Sequence, residues 1–138
     1  MNQRRAMNSL IVSRMSFGVA VWLFPRPAGK VFGLDVSGNP QIPYLARILG
    51  TRDITLACGL SLTEGDARRQ WLLAGFASDC ADVVAALAGG VGGYLPKRTT
   101  AILTAAALAP MVRGAIALHG WPLRTPLDAQ ETGSVATA

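Results

Sequence analysis

The chain is poor in charge. Only 15% of its 138 residues are Asp, Glu, Lys or Arg, against roughly 25% in ordinary soluble domains. A soluble helical domain needs a polar outer face on every helix, and too few charges are available to make one. Cysteine is scarce as well: Cys58 and Cys80 are the two, both inside apolar segments. No CxxC pair and no Cys/His spacing is present, so no metal site is expected and the thiols read as small buried hydrophobes. There is no Gly-rich phosphate loop, no nucleophile elbow and no HExxH, so no cofactor is expected. The single histidine, His119, falls at the end of an apolar segment, where an interfacial polar role is expected rather than catalysis.

What is present is apolar. Hydrophobic residues make up 51% of the chain and mean hydropathy is +0.35. Four segments stand out, at about residues 6–24, 42–62, 70–94 and 99–119, each near the roughly 20 residues that cross a hydrocarbon core. The expected fold is all-α: a single domain over residues 1–122, built as a four-transmembrane-helix antiparallel bundle. The connections carry turn chemistry. Pro25 and Pro27 in "FPRPAGK" end the first segment, and "LDVSGNPQIP" leads into the second. "TEGDARRQ" and "LPKR" separate the later ones, and residues 123–138 read as a disordered polar tail. Arg14 interrupts the first segment and "FPRPAGK" offers no A-x-A site, so a retained helix is expected rather than a cleaved signal peptide.

The aromatics agree. Trp22, Tyr44, Trp71, Tyr94 and Trp121 are all the Trp and Tyr residues, and each lies near an end of an expected span. Amphipathic rings prefer the headgroup level.

The net charge is +5. Its cations are scattered over helix interiors and short loops without a basic stripe or interleaved aromatics, so nucleic-acid binding is not expected. Basic loops beside apolar spans meet anionic lipid headgroups instead, which makes membrane lipid the expected partner. Arg4, Arg5, Arg68, Arg69 and Arg124 on one side outnumber Arg26, Lys30, Lys97 and Arg98 on the other. That balance favours both termini in the cytoplasm. High Ala and Arg content suggests a bacterium, and hence the inner (plasma) membrane, with a multi-pass topology.

Seven ionisable residues fall inside the expected spans: Arg14, Arg47, Arg52, Asp53, Asp79, Asp82 and Arg113. The second span holds three of them, which cost on the order of 8–10 kcal/mol on insertion, against roughly 2–4 kcal/mol returned by its Ile and Leu residues. It needs partners in the other helices. Asp79 and Asp82 are three apart and point to one face of the third helix. They lie near mid-span, as do Arg14, Arg52 and Asp53, so antiparallel helices bring these groups to one depth. The expectation is an intramembrane ion-pair cluster with Arg52 as its hub, bridged to Asp79 or Asp82, and Arg14 as the second cation. Asp53 points about 100° away from Arg52 around the helix and faces a different neighbour. Arg47 and Arg113 lie nearer the span ends and are expected to snorkel. Binding candidates are therefore Arg14, Arg47, Arg52, Asp79 and Asp82, and catalytic candidates are Arg52, Asp53, Asp79 and Asp82.

Small residues recur every four positions at Ala81, Ala85, Gly89 and Gly93, and again at Ala101, Ala105, Ala109 and Ala117. Such stripes let helices approach closely in lipid.

The strings "FPRPAGKVFGL", "RILGTRDITLACGL" and "SDCADVVAAL" resemble a family of small, uncharacterised four-helix membrane proteins of bacteria and some fungi, catalogued as a domain of unknown function. The shared pattern falls on Phe32 and Gly33, on Gly50, Arg52 and Asp53, and on Asp79 and Asp82, and the likeness covers roughly residues 10–120. It implies the four-span topology and no particular activity.

Three functions fit. In the first, the charges pack an accessory membrane subunit or homo-oligomer, or a component of a larger complex. In the second, they form the acid/base site of a membrane-embedded enzyme or binding protein for a lipophilic small molecule, with Asp79 and Asp82 exchanging protons, Arg52 orienting and Asp53 supporting. In the third, an oligomer carries ions or protons, though no inverted repeat relates the two halves. Whether the chain is an enzyme is left open by its sequence.

Overall fold

Proline and glycine cut the apolar sequence into five helices. The structure is a computed structural model that describes residues 3–119 and Trp121. Helix α1 spans Gln3–Leu23, α2 Pro25–Val31, α3 Ile42–Leu62, α4 Gly65–Val91 and α5 Lys97–His119. No strand occurs among the described residues. The expected polar tail, 123–138, and Arg124 lie outside them.

The boundaries depart from the expected ones for local reasons. Pro25 ends α1 but also opens α2, a seven-residue helix where only a turn was expected. Proline fits the first turn of a helix, where its missing N–H is not needed. Helix α4 begins at Gly65 rather than near residue 70, taking in "GDARR". Asp66 in its first turn suits the positive end of the helix dipole. It ends at Val91, before Gly92 and Gly93, the latter at φ +77°.

The four long helices pack in consistent register. Arg14 meets Asp53 and Gly18 lies against Gly50, so α1 and α3 run in opposite senses. Gly59 faces Trp71 and Arg52 meets Asp82, which sets α4 against α3 in the same way. Gly114 faces Phe76 and Gly90 faces Thr100 between α4 and α5, and Arg113 meets Ser13 between α5 and α1.

The tightest crossing joins α1 and α3. A Cβ added to Gly18 would stand 2.7 Å from the Gly50 carbonyl oxygen, and one added to Gly50 would stand 2.7 Å from the Gly18 oxygen. Neither position has room for a side chain. This pair brings two helix backbones together, whereas of the two expected stripes only Gly89 and Ala117 are buried. Ala81, Ala101, Ala105 and Ala109 are exposed, whereas Gly89, Ala107, Gly114 and Ala117 are buried.

One end holds a compact apolar core. Met7, Leu10, Leu60, Leu72 and Ala117 are buried there, with Ile11, Trp71, Leu118 and Trp121 packed against them. At the opposite end, Gly33 at φ +75° turns the chain after α2, and its carbonyl accepts a hydrogen bond from Thr99 Oγ1 at 2.9 Å. Only glycine takes that backbone conformation without strain. Phe32 beside it meets Phe17 edge-on, with ring centroids 6.0 Å apart. Trp22, Tyr44 and Tyr94 sit at this end and Trp71 and Trp121 at the other.

The outer surface is apolar: Val12 and Val84 are each 64% exposed and Val112 50%. Helices α1, α4 and α5 are long and apolar enough to cross a membrane. The chain is in that sense a membrane protein. Helix α3 does not qualify as the fourth such helix. It has 21 residues, but Arg47, Arg52 and Asp53 lie within it. Its ability to lie among apolar helices depends on what meets those charges.

Candidate functional site

Five charged side chains from three helices form one connected chain. Arg14 is its buried anchor. Its Nη1 donates to Asp53 Oδ1 at 2.9 Å and its Nη2 to Asp79 Oδ2 at 2.5 Å, with a longer bond from Nη2 to the Gly75 carbonyl at 3.3 Å. Arg14 and Asp53 are each 4% exposed and Asp79 1%. Arg52 continues the chain. It grips Asp82 through both guanidinium nitrogens, Nη1 to Oδ1 at 2.9 Å and Nη2 to Oδ2 at 2.8 Å. Its Nη2 also reaches Asp53 Oδ1 at 3.5 Å. The order is Asp79–Arg14–Asp53–Arg52–Asp82.

Helical geometry places these groups. Asp79 and Asp82, three residues apart, share the face of α4 turned to α1 and α3. Asp79 faces Arg14 and Asp82 faces Arg52. Arg52 and Asp53, one residue apart, diverge around α3, so Asp53 reaches α1 while Arg52 reaches α4. Gly75, one turn before Asp79, leaves room for the Arg14 guanidinium: a Cβ there would come within 3.1 Å of Arg14 Nη2.

The expected hub was Arg52, bridged to Asp79 or Asp82. The structure brings Arg52 to Asp82 as expected, but gives the central role to Arg14, which joins α1, α3 and α4 at once. The side chain of Arg52 remains 30% exposed and that of Asp82 37%. The set is thus divided into a buried half around Arg14 and an open half around Arg52. Arg47 is not part of it. It lies exposed near the end of α3, donating from Nε to the Trp22 carbonyl at 3.4 Å, with its guanidinium 5.8 Å from the Trp22 ring centroid. Arg113 does not snorkel outward. Its Nη1 donates to Ser13 Oγ at 3.1 Å and the residue faces inward.

It faces a cavity of about 620 Å³, within the range of about 300–1,000 Å³ usual for small-molecule sites. Arg14, Arg52, Asp79, Asp82 and Arg113 line its polar side. The rest of the wall is apolar, with Phe17, Phe32, Leu95 and Leu103 toward the α2 end and Ala85, Ala86, Ala106, Ala107, Ala109 and Pro110 between. Pro110 lies inside α5. It supplies no N–H to the carbonyl of Ala106 one turn earlier, so a backbone acceptor is freed beside the cavity wall.

The sequence reading allowed a ligand site at the charge cluster but did not give its apolar wall or the part played by Ser13, Phe17, Phe32 and Pro110. Small residues leave a void when their neighbours do not close on them, and four-residue alanine spacing carries no information about which occurs. The proline inside an otherwise apolar span was the one available signal. Among the described residues no group of three or more His, Cys, Asp or Glu side chains could hold a metal ion. No protein-family model, no curated protein and no solved structure matches this chain.

Proposed function

We propose that this chain is a small integral membrane protein that binds a lipophilic small molecule within its helices. The observation that carries this reading is the cavity of about 620 Å³ with an apolar wall on most of its surface and charged groups on one side. A site of that composition suits a molecule that is mostly hydrocarbon with a polar end.

In this reading α3 joins α1, α4 and α5 as the fourth span of an antiparallel transmembrane bundle. Its Arg52 and Asp53 are met by Asp82 and Arg14, which offsets most of their insertion cost. The membrane is the bacterial plasma membrane. The end carrying Arg4, Arg5, Arg68 and Arg69 faces the cytoplasm, in keeping with the positive-inside tendency. The likeness to the small uncharacterised four-helix family belongs to the same proposal, and the partners it names are membrane lipid and the lipophilic ligand.

The two halves of the ion-pair chain then have different tasks. The Arg14–Asp53–Asp79 half is the more deeply buried and fixes the helix register. The Arg52–Asp82 half stands at the cavity, where it can orient a ligand's polar end. A second reading is acid/base chemistry shared between the halves, because Asp79 of the buried half and Asp82 of the open half both line the cavity beside an arginine.

The test is thermal stability of the purified protein with and without lipid extract from the native membrane. Wild type is expected to be stabilised by the extract. Arg52→Gln and Asp82→Asn are expected to fold and to lose much of that stabilisation, while Arg14→Gln and Asp79→Asn lower the yield of folded protein. Extract without effect on wild type overturns the binding reading and leaves the charges as packing groups of an accessory or oligomeric component.

A further inference from the structure

The cavity wall carries three arginines and two aspartates, and Asp53, bonded to Arg14 and Arg52 directly behind the wall, completes a charge balance that identifies the polar end of its ligand. The connected chain contains two arginines and three aspartates, hence one formal negative charge in excess. Arg113 supplies the balancing positive charge, so the six groups together are neutral. Yet among the described residues no carboxylate lies within ion-pair distance of Arg113; its polar contact is the Ser13 hydroxyl. The Ser13 hydroxyl proton is itself committed to the Leu10 carbonyl at 3.0 Å, so Ser13 acts toward Arg113 as an acceptor. A guanidinium has five N–H donors, and the bond to Ser13 uses one of them.

Arg113 therefore presents unmet donors to an apolar cavity in a set that is already electrically neutral. An anion bound there would leave the cavity with a net charge in a low-dielectric site, which is costly. A cation would add to the charge of Arg113. A neutral oxygen acceptor satisfies the donors and leaves the balance undisturbed. We propose that Arg113 recognises a neutral carbonyl oxygen, and that the ligand is an uncharged lipophile carrying a terminal ketone, ester or quinone-type carbonyl. This rests on the reading of the cavity as a ligand site.

The wall beyond Arg113 fits the remainder of such a molecule. Arg113 and Leu103 are ten residues apart on α5, which separates them by about 15 Å along the axis. Between them stand Pro110, Ala109, Ala107 and Ala106, and Leu95 and Phe32 also line the cavity. An extended hydrocarbon chain lies along these small residues with its carbonyl at Arg113.

The test compares four probes of equal chain length on the full-length protein in a non-ionic detergent: a methyl ester, the free carboxylate, the primary amine and the alkane. Each is titrated while stability and displacement of a fluorescent lipophile are read. The methyl ester is expected to bind about tenfold tighter than the alkane, the scale of one hydrogen bond from a charged donor, with carboxylate and amine no better than the ester. Arg113→Gln is expected to reduce the ester to the affinity of the alkane and to leave the alkane unchanged. The wild-type ranking stands on its own if that variant fails to fold. A carboxylate preferred tenfold or more over the ester would overturn the neutral-ligand assignment, and so would a preferred amine or an ester no better than the alkane. In these cases the cavity itself survives. If none of the four probes displaces the reporter, or if Ala106→Leu leaves alkane binding untouched, the cavity is not a ligand site and the underlying reading fails as well.

Discussion

The Arg14 guanidinium and the Asp79 carboxylate, 65 residues apart in the chain, meet at 2.5 Å with both side chains almost wholly buried. Asp53 takes the other nitrogen of the same guanidinium at 2.9 Å. Removing Arg14 strands two carboxylates that are buried and have no other cation as close. Arg14→Gln is therefore expected to cost about 3–5 kcal/mol, the scale for one partner lost from a buried ion pair. Equilibrium unfolding in mixed micelles checks this. Restoring apolar neutrality with the triple change Arg14→Met, Asp53→Leu, Asp79→Leu is expected to recover much of the loss. A triple variant less stable than the single one would show that the charges do more than satisfy one another.

Arg52 and Asp82 predict a smaller effect of a different kind. Their side chains are about a third exposed at the cavity, so a partner left behind by a substitution is less deeply enclosed than one at Arg14. Asp82→Asn is expected to fold with near-normal yield. Its consequence should appear in ligand binding, because Asp82 faces the cavity. A collapse in yield equal to that of Asp79→Asn would remove the distinction between the buried and open halves.

The α1–α3 crossing makes a steric prediction. A Cβ at Gly18 would stand 2.7 Å from a backbone oxygen, which cannot rotate aside. Gly18→Leu is expected to force the helices apart and lose about 1–3 kcal/mol or more, on the scale of overpacking. Since the same crossing aligns Arg14 with Asp53, reduced thermal stability should accompany loss of whatever ligand response wild type shows. Gly65, where a Cβ meets nothing within 4 Å, supplies the comparison. Its φ of +53° makes Gly65→Asn the tolerated change.

These contacts also show which parts of the molecule were legible in the sequence. The charges inside apolar spans announce themselves, and matching their depths was enough to offer Asp79 or Asp82 as the partner of Arg52, of which the structure selects Asp82. Depth does not give the direction of a side chain around its own helix. Arg14 could therefore not be ranked above Arg52 until the facing of α1 was known. Gly18 stands outside any four-residue repeat of small residues, so the tightest contact left no stripe to read. The alanines that do form stripes went elsewhere, with Ala101 and Ala105 on the outer surface and Ala85 and Ala109 at the cavity. The early start of α4 was hidden because "GDARRQ" is polar enough for a loop, and is helical because Asp66 suits an N-terminal turn.

Cavity volume gives a further expectation. Ala106 and Ala107 line the void between Arg113 and Leu103. Filling it by Ala106→Leu is expected to keep or slightly raise stability without ligand, since added methylenes meet empty space, while abolishing stabilisation by lipophiles. A marked loss of stability in this variant would mean that the wall has no room to accept it.

The most direct measurement is the stabilisation of wild type, Arg52→Gln and Ala106→Leu by native lipid extract, recorded together in the same detergent. A clear rise in melting temperature for wild type, lost in Ala106→Leu and reduced in Arg52→Gln, is the predicted result. An equal response in all three, or none in wild type, would contradict the assignment of the cavity as a ligand site.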